Sequence, residues 1–329
     1  MASLQNLRPW NSLEERGLPS AGVDSLSGQS AECLERLANY DPPPLPDFGI
    51  MKQASVLVGL FEKDGELHVL LTTRAKTLRR HPSQTALPGG KVDPEDEDVI
   101  FTARREANEE VDLPLNHPSI HHLTILDPVM TILPLNAHMK NHIVVTRKFL
   151  TSREATRLTS MIAVVCFLSD PSLLIHLRPS PDEVDAIFTH PLKGCLTGEV
   201  EGKNWEGLSE KGGEWWPYEE EFHSTEDRIG VTGGYRMHRF RSERTPIKGL
   251  TSDILIHTAT VAYGSSPSFA RFASDQPSFS SAISDVVLEL PRVINSSSST
   301  SPGGTPRVLE WGGTEVGQRT ISGETWALD

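Results

Sequence analysis

Two dense runs of apolar and β-branched residues, 54–61 and 67–74, flank a polar EKDGE segment. This pattern predicts a β-hairpin whose strands are largely buried. Further along, apolar residues recur at every fourth position from Val99 to Val111, which is the spacing of one helix face. A shorter helix is predicted over 31–40, because the DPPPLP segment that follows would end it.

The same pattern predicts several later strands and one more helix. The strands cover 120–126, 142–146, 163–168, 184–190 and 235–241, and the helix covers 249–264. Strands interleaved with helices indicate one mixed α/β domain, which we place at 31–265 after a flexible lead-in at 1–30. Ser, Pro, Gly and Thr dominate the rest, so 266–329 is expected to be a disordered tail. The alternative is a small C-terminal subdomain around the segment ISDVVLELPRVI.

Composition narrows the classes of partner. The 329 residues include 31 Lys and Arg against 44 Asp and Glu, for a net charge of −13. This balance argues against binding nucleic acid through a basic face and favours a small partner, or an anion that arrives with metal cations. Three widely spaced cysteines form no disulfide framework, which favours a reducing compartment. The sequence has neither an apolar run near the roughly 20 residues that span a bilayer nor a secretory signal, so membrane and secreted proteins are not expected.

The predicted helix at 99–111 carries three carboxylates on one face. Glu106, Glu109 and Glu110 lie three or four residues apart, so they repel one another and oppose the negative end of the helix dipole. Divalent Mg²⁺ or Mn²⁺ would compensate this charge, since hard cations take carboxylate oxygen ligands. Arg105 stands four residues before Glu109 and can hold its carboxylate. The alternative is a solvated acidic helix face.

The loop–helix segment resembles the Nudix box. The matching residues are Gly90, Arg105, Glu106, Glu109, Glu110 and Leu113. The gap between Gly90 and Arg105 is one residue longer than the general pattern, with Asp96 or Glu97 at the acidic position. Asp112 replaces the usual Gly after the helix, and we expect it to adopt the left-handed conformation that Gly would adopt there.

The upstream segment 70–90 is similar to a signature of the coenzyme A pyrophosphatase branch of the Nudix family. The matching residues are Arg74, Leu78, His81, Gln84, Pro88, Gly89 and Gly90, while Ser83 replaces a usual Gly. The resemblance implies an α/β Nudix fold, a mixed β-sheet sandwiched between helices. It also implies Mg²⁺- or Mn²⁺-dependent hydrolysis of the diphosphate of coenzyme A, or of its acyl or oxidised forms, to 3′,5′-ADP and 4′-phosphopantetheine.

The resemblance assigns roles to individual residues. The metal ligands are Glu106, Glu109, Glu110 and the carbonyl of Gly90, with Arg105 among the catalytic residues. The general base is Glu106 or, as the second choice, Glu183, which otherwise is a solvated loop acid.

Substrate binding is assigned to Arg74, Arg79, His81 and Gln84. Together with Arg80, the first three of these residues make a basic island in an acidic protein, and such an island suits phosphates. The alternative is an ordinary run of surface charge.

Two rival functions remain at this point. One is a Nudix hydrolase of oxidised dNTPs or ADP-ribose, and the other is a non-catalytic Nudix-derived binding module. The partner in each enzymatic case is a small molecule, with no nucleic acid and no membrane. Relatives of the coenzyme A branch are often peroxisomal, yet this sequence ends Trp-Ala-Leu-Asp and not in an SKL-like tripeptide, so a cytoplasmic location is the alternative.

Residues 147–163 look foreign to the strand pattern around them. Without this segment, HIVVT would run directly into VVCFL as one strand. Its ends are compatible with splice sites, so we interpret it as a retained intron, and the alternative is a genuine basic surface loop. If translated, it is expected to interrupt a core strand.

Overall fold

The computed structural model describes residues 26–42, 44–48, 51–131, 158–230 and 233–298. The helices are α1 (Gly28–Ala38), α2 (Val99–Val111), α3 (Leu173–His176), α4 (Gly194–Thr197), α5 (Leu250–Tyr263) and α6 (Phe279–Ser298), and a 3₁₀ turn covers Gly202–Trp205. The strands are β1 (Lys52–Lys63), β2 (Glu66–Arg74), β3 (Thr85–Ala86), β4 (Gly89–Lys91), β5 (Ile120–Ile125), β6 (Val129–Met130), β7 (Thr159–Leu168), β8 (Val184–Pro191), β9 (His223–Gly230), β10 (Gly233–Phe240) and β11 (Ile247–Lys248).

Strands β1 to β8 form one mixed sheet. Its main path runs β3-β2-β1-β7-β5, while β4, β6 and β8 pair with β1, β7 and β2 respectively. β1 and β7 are parallel, and the other pairs are antiparallel. The predicted hairpin is confirmed: Lys63 pairs with Glu66, and Asp64 and Gly65 between them both have positive φ, as a two-residue type I′ turn requires.

The central strand β1 is buried on both of its faces. Val56, Val58 and Leu60 pack into a core shared with α1 and α5. Leu57 and Phe61 point the other way, into a core shared with α2 and α6. A strand that is covered on both faces needs apolar residues at consecutive positions. This is why the sequence of β1 shows no alternation of apolar and polar residues. The predicted mixed sheet between helices is confirmed.

A second, three-stranded sheet of order β11-β10-β9 joins the main sheet at the edge strand β3. The Thr85 hydroxyl donates to the Thr245 carbonyl at 2.5 Å, and the Thr245 hydroxyl donates to the Ser83 carbonyl at 2.8 Å. From the start of α5, the Thr251 hydroxyl reaches the Thr85 carbonyl at 3.4 Å. This threonine seam, formed by Thr85, Thr245 and Thr251, fixes the segment that precedes the Gly-Gly loop.

The expectation of a disordered tail over 266–329 is wrong as far as Ser298. The segment 279–298 is the helix α6, and its residues Ala282, Ile283 and Val286 are buried in the core beside α2. The Ser-rich composition hid an apolar face at helical spacing, which supplies enough burial to order the segment. The alternative of a small C-terminal element around this segment is closer to the structure. Residues 299–329 lie outside the described part.

The segment 147–163 ends inside the sheet. Thr159–Ala163 is the first half of β7 and pairs in register with β1, from Lys52↔Thr159 to Val56↔Ala163. In the described part, the segment therefore supplies a core strand and does not interrupt one, so that expectation is wrong there. Residues 147–157 and the strand predicted at 142–146 lie outside the described residues, as does most of the lead-in at 1–30, where α1 begins at Gly28. Retention of an intron stays a prediction, which sequencing of the mature transcript tests.

Within the described ranges, no helix combines the length and the apolar character needed to cross a lipid bilayer. The three cysteines, Cys33, Cys166 and Cys195, are buried free thiols, in agreement with the absence of a disulfide framework.

Candidate active site

The helix α2 is capped at both ends by aspartates. The Asp98 carboxylate accepts a hydrogen bond from the Phe101 N–H at 2.7 Å, which satisfies a free donor of the first turn. At the other end Asp112 is left-handed, with φ 59° and ψ 29°. The prediction that Asp112 takes the place of the family's glycine is confirmed, and the chain turns away at once behind the acidic residues.

The Gly-Gly loop packs tightly against the acidic face of α2. A Cβ at Gly90 would overlap the carboxylate of Glu106, and a Cβ at Gly89 would overlap the backbone of Ser55 and Val56. At position 89 the neighbours are backbone atoms, so only glycine fits there, whereas a side chain at position 90 would have to displace the Glu106 carboxylate. The loop therefore presents its main chain directly to the acidic residues.

Glu110 is a buried carboxylate, 5% exposed, at the base of this face. It accepts a hydrogen bond from the Gly89 N–H at 3.2 Å, and its other oxygen lies 4.0 Å from Nη1 of Arg74. The pKa of Glu110 is raised to about 8, chiefly by burial; the Gly89 hydrogen bond and the charge of Arg74 lower it, while the charges of Glu106 and Glu183 raise it. Glu110 is thus an acid that lacks a sufficient counter-charge.

Glu106 is half-buried beside it. Burial raises the pKa of Glu106, the negative charges of Glu109 and Glu183 add to this rise, and Arg105 opposes it. The Glu109 carboxylate is more exposed and also reaches Arg105, at 3.2 Å from Nη1. The three predicted acids do lie on one face, and two of them pay a desolvation penalty that a cation would relieve.

Arg105 holds the loop and the helix together. Its Nε and Nη2 atoms bind the two oxygens of Asp96, each at 2.9 Å, and its Nη1 atom lies 3.0 Å from Glu106. Asp96 also accepts bonds from the Thr102 hydroxyl at 2.8 Å and the Asp93 N–H at 3.0 Å. The structure therefore selects Asp96 over Glu97 as the acidic residue of the motif, and its pKa is held far below its usual range by Arg105.

The donor set suits a hard divalent cation in its chemistry, although the side chains are not yet gathered around one point. Within the described ranges, no three His, Cys, Asp or Glu side chains converge closely enough to hold a metal ion. Glu106 and Glu109 both turn toward Arg105, so they would have to turn away from it to bind a cation together with Glu110. The fold already places the three glutamates on one face of α2. What a metal centre would still require is a different orientation of the Glu106 and Glu109 side chains.

The basic loop between β2 and β3 begins beside this face. Arg74 lies at the end of β2, its side chain is partly exposed, and its buried Nε atom has no hydrogen-bond partner. The His81 ring nitrogen Nδ1 lies 3.1 Å from the Gln84 side-chain oxygen, while Arg79 is exposed to solvent. The structure brings Arg74 to the acidic face and leaves Arg79 at the surface of the loop.

Two residues of this loop adopt left-handed backbone conformations, His81 with φ 52° and Ser83 with φ 57°. The conformation of Ser83 explains why the family favours Gly at that position, since glycine adopts it without strain. The bonds between Arg74 and the loop backbone, Arg74 N–H to Gln84 carbonyl at 2.9 Å and Ser83 N–H to Arg74 carbonyl at 3.1 Å, close the loop at its base.

Glu183 lies at the entrance to β8, where its carbonyl accepts the Ala75 N–H at 2.9 Å. Its charge acts on both Glu106 and Glu110, so the loop before β8 faces the acidic helix. The structure thus brings together residues 74, 106, 110 and 183, which are far apart in the sequence.

Two supports of the site were not predicted. The seam residues Thr245 and Thr251 hold the loop from more than 150 positions away, and isolated threonines give no signal of such a contact. The Ser55 hydroxyl donates to the Val99 carbonyl at 2.7 Å and ties α2 to β1. A serine inside an otherwise apolar strand is the one sequence signal that marks this contact.

Comparison with known proteins agrees with this architecture. Residues 51–192 match the sequence profile of the NUDIX domain, so the predicted fold is confirmed over that range. The chain is 32% identical over 230 residues to Nudix hydrolase 15, mitochondrial, of Arabidopsis thaliana, which covers 68% of this chain and 63% of the relative. It is also 32% identical over 221 residues to Nudix hydrolase 22, chloroplastic, of the same plant, which covers 66% and 58%.

The chain therefore spans about three fifths of the length of these relatives. Among solved structures, the NUDIX domain of Shewanella oneidensis NrtR, determined with ADP ribose, aligns at 22% identity over 49% of this chain and 83% of that one, with a TM-score of 0.30. An overlap this loose carries no information about the ligand of the present chain.

Proposed function

Because residues 51–192 form a Nudix domain and the relatives of the chain are Nudix hydrolases, we propose that this protein is a divalent-metal-dependent diphosphate hydrolase that acts on coenzyme A. The observation that carries the proposal is the pair of Glu106 and Glu110. The carboxylate of Glu110 is buried and that of Glu106 is half-buried, and burial raises the pKa of each. Carboxylates with raised pKa values cluster at functional sites, and a bound cation would relieve the cost of burying this pair.

The residues that would hold the cations are Glu106, Glu109 and Glu110, with the Gly90 carbonyl as a further ligand. A bound Mg²⁺ or Mn²⁺ would neutralise phosphate oxygens and lower the pKa of a water molecule. Turning Glu106 and Glu109 from Arg105 toward a cation leaves Arg105 bound to Asp96, so the loop stays anchored.

The reaction needs little from the protein beyond positioning and charge. The oxygen of a water molecule bonds to one phosphorus, the bridging P–O bond breaks, and the proton of the water passes to a carboxylate. Glu106 is our first choice as that base and Glu183 the second, because both face the same cluster. Arg74, whose guanidinium is partly exposed beside Glu110, would bind a phosphate oxygen.

The loop between β2 and β3 supports the choice of coenzyme A over other diphosphates as the proposed substrate. This loop carries the residues of the coenzyme A signature, and its left-handed Ser83 adopts the conformation for which the usual glycine is suited. Hydrolysis of ADP-ribose or of oxidised dNTPs is the rival activity. A non-catalytic binding module is the rival from another class, and the three intact glutamates argue against it.

One assay tests these alternatives. The purified chain is incubated with Mg²⁺ or Mn²⁺ and, separately, with coenzyme A, an acyl-coenzyme A, ADP-ribose and oxidised dGTP, and the products are separated by chromatography. We expect 3′,5′-ADP from coenzyme A and its acyl form, at a higher rate than any product from the other two. Faster cleavage of ADP-ribose or oxidised dGTP would establish the rival enzyme, and no cleavage of any compound would support the binding module.

The cellular compartment of the protein is a separate prediction. The names of the two plant relatives assign those proteins to a mitochondrion and a chloroplast, so they lend no support to the peroxisomal location expected from the resemblance. We keep a peroxisomal or cytoplasmic location as a prediction, to be tested by microscopy of the full chain tagged in turn at each end.

A further inference from the structure

Lys248 is a half-buried lysine, and among the described residues no anion contacts its ammonium group. It lies in β11 directly opposite Arg239 of β10, so the two side chains project from the same face of the small sheet. Burial and the positive charges of Arg239 and Arg228 all lower the pKa of Lys248. The surroundings therefore destabilise the charged form of Lys248, and an anion bound beside it would stabilise that form.

The two arginines share a single acid. Arg228 binds both oxygens of Glu226, at 2.7 and 3.0 Å, and Arg239 binds the same carboxylate. Arg239 is fixed further, since its side chain is 7% exposed and its guanidinium lies 5.0 Å over the ring of Tyr218. Glu226 is thus shared by two arginines, and together with Lys248 the three cations exceed this one acid by two positive charges, in a protein whose net charge is −13.

The basic cluster of Arg228, Arg239 and Lys248 lies beside the candidate active site and not within it. Lys248 stands between the seam residues Thr245 and Thr251, which bind the backbone of Ser83 and Thr85. Thr85 in turn pairs with Thr73, the neighbour of Arg74. Lys248 therefore lies across the edge strand β3 from the arginine that approaches Glu110.

We propose that Lys248, with Arg239 and Arg228 behind it, binds a phosphate monoester on the nucleotide part of the substrate, separate from the diphosphate that is cleaved. A phosphate monoester near pH 7 carries close to two negative charges, which match the excess charge of the cluster. The inference rests on the proposed hydrolase function. In coenzyme A the group with this chemistry is the ribose 3′-phosphate, so Lys248 would make the enzyme prefer coenzyme A to dephospho-coenzyme A.

The kinetic test compares these two substrates, which differ only in that phosphate. We expect Lys248→Met to lower kcat/KM for coenzyme A about tenfold, through KM, and to leave kcat/KM for dephospho-coenzyme A unchanged. Lys248→Arg should restore most of the difference. The matched control is Lys203→Met, an exposed lysine on the 3₁₀ turn, which should change neither value. An equal loss on both substrates would overturn the proposal.

A binding test separates this inference from the proposed function. Calorimetry with 3′,5′-ADP and with AMP needs no turnover, so it applies even if the chain hydrolyses no coenzyme A. We expect the wild type to bind 3′,5′-ADP more tightly than AMP and Lys248→Met to lose that preference. This result would support the phosphate site even where the assay for hydrolysis had failed. Equal affinity of the wild type for both nucleotides would overturn the site.

Discussion

Gly90 and Glu106 are sterically matched, because the Glu106 carboxylate lies where any Cβ at position 90 would have to be. The pairing joins a loop to a helix across 16 residues of sequence and sets how near the main chain comes to the acidic face. It also makes the glycine testable as part of the site.

The substitution Gly90→Ala should therefore displace the Glu106 carboxylate. We expect kcat for the best diphosphate substrate to fall by about tenfold or more, with a small change in thermal stability. The control is Gly28→Ala in α1, where an added Cβ meets nothing within 4 Å. Full activity of Gly90→Ala would contradict the close packing of the loop on Glu106.

Replacement of Glu110 should remove activity without unfolding the protein. Glu110→Gln keeps the shape of the side chain and an oxygen for the Gly89 N–H, but it removes the negative charge. We expect Mg²⁺-dependent turnover to fall about a hundredfold or more. Glu97→Gln, an exposed acid of the same loop, is the control and should keep its activity. Unchanged turnover of Glu110→Gln would contradict the proposed role of Glu110 as a metal ligand.

The stability of the metal-free protein should depend on pH through Glu110. Its pKa is about 8 in the folded chain against a usual 4.5, so the folded state binds the proton more tightly than the unfolded state. Stability is then fully present below about pH 4.5 and falls as the pH rises toward 8. Glu110→Gln lacks this loss, so its Tm should exceed that of the wild type by roughly 5 °C at pH 8. Calorimetry at pH 5 and pH 8 with a chelator measures it; an equal difference at both pH values would contradict the assignment.

Arg105 should contribute to folding as well as to the site. Its partner Asp96 is 2% exposed in its side chain, so Arg105→Met leaves a buried carboxylate unpaired. We expect a loss of about 3 kcal/mol in the free energy of unfolding, measured with urea. Lys211→Met breaks an exposed pair with Glu221 and should leave the free energy of unfolding nearly unchanged. Similar losses of unfolding free energy in the two variants would mean that the pair of Arg105 and Asp96 stabilises the fold no more than an exposed ion pair does.

The helix α6 should be part of the core. Ile283 is fully buried, and Leu288 of the same helix is 71% exposed. Ile283→Ala is expected to cost about 3 kcal/mol, while Leu288→Ala should change stability little. Urea unfolding of both variants measures the difference. Equal and small effects of the two substitutions would contradict the packing of α6 in the core and would support the disordered tail that the composition suggests.

Local patterns in the sequence predicted the elements that depend on local chemistry. The hairpin of β1 and β2, the helix from Val99 and the left-handed Asp112 all follow from neighbouring residues. The acidic face of α2 was predicted for the same reason, since helical spacing alone places Glu106 and Glu110 together.

Contacts between distant segments could not be predicted in this way. A local pattern carries no information on which side chain meets Thr85 or what surrounds Lys248, because those neighbours are fixed only when the two sheets meet. The helix α6 was missed for a related reason: three buried residues among many serines stabilise it through a core that the local composition does not reveal.

The threonine seam also bears on how such a protein diversifies. The matched domain ends at residue 192, yet two hydroxyls beyond that point hold the strand that leads to the Gly-Gly loop. A chimera joined after residue 192 would lose both of these hydrogen bonds to its N-terminal part. An exchanged C-terminal half would hold that strand in the same way only if it supplied hydroxyls at the positions of Thr245 and Thr251.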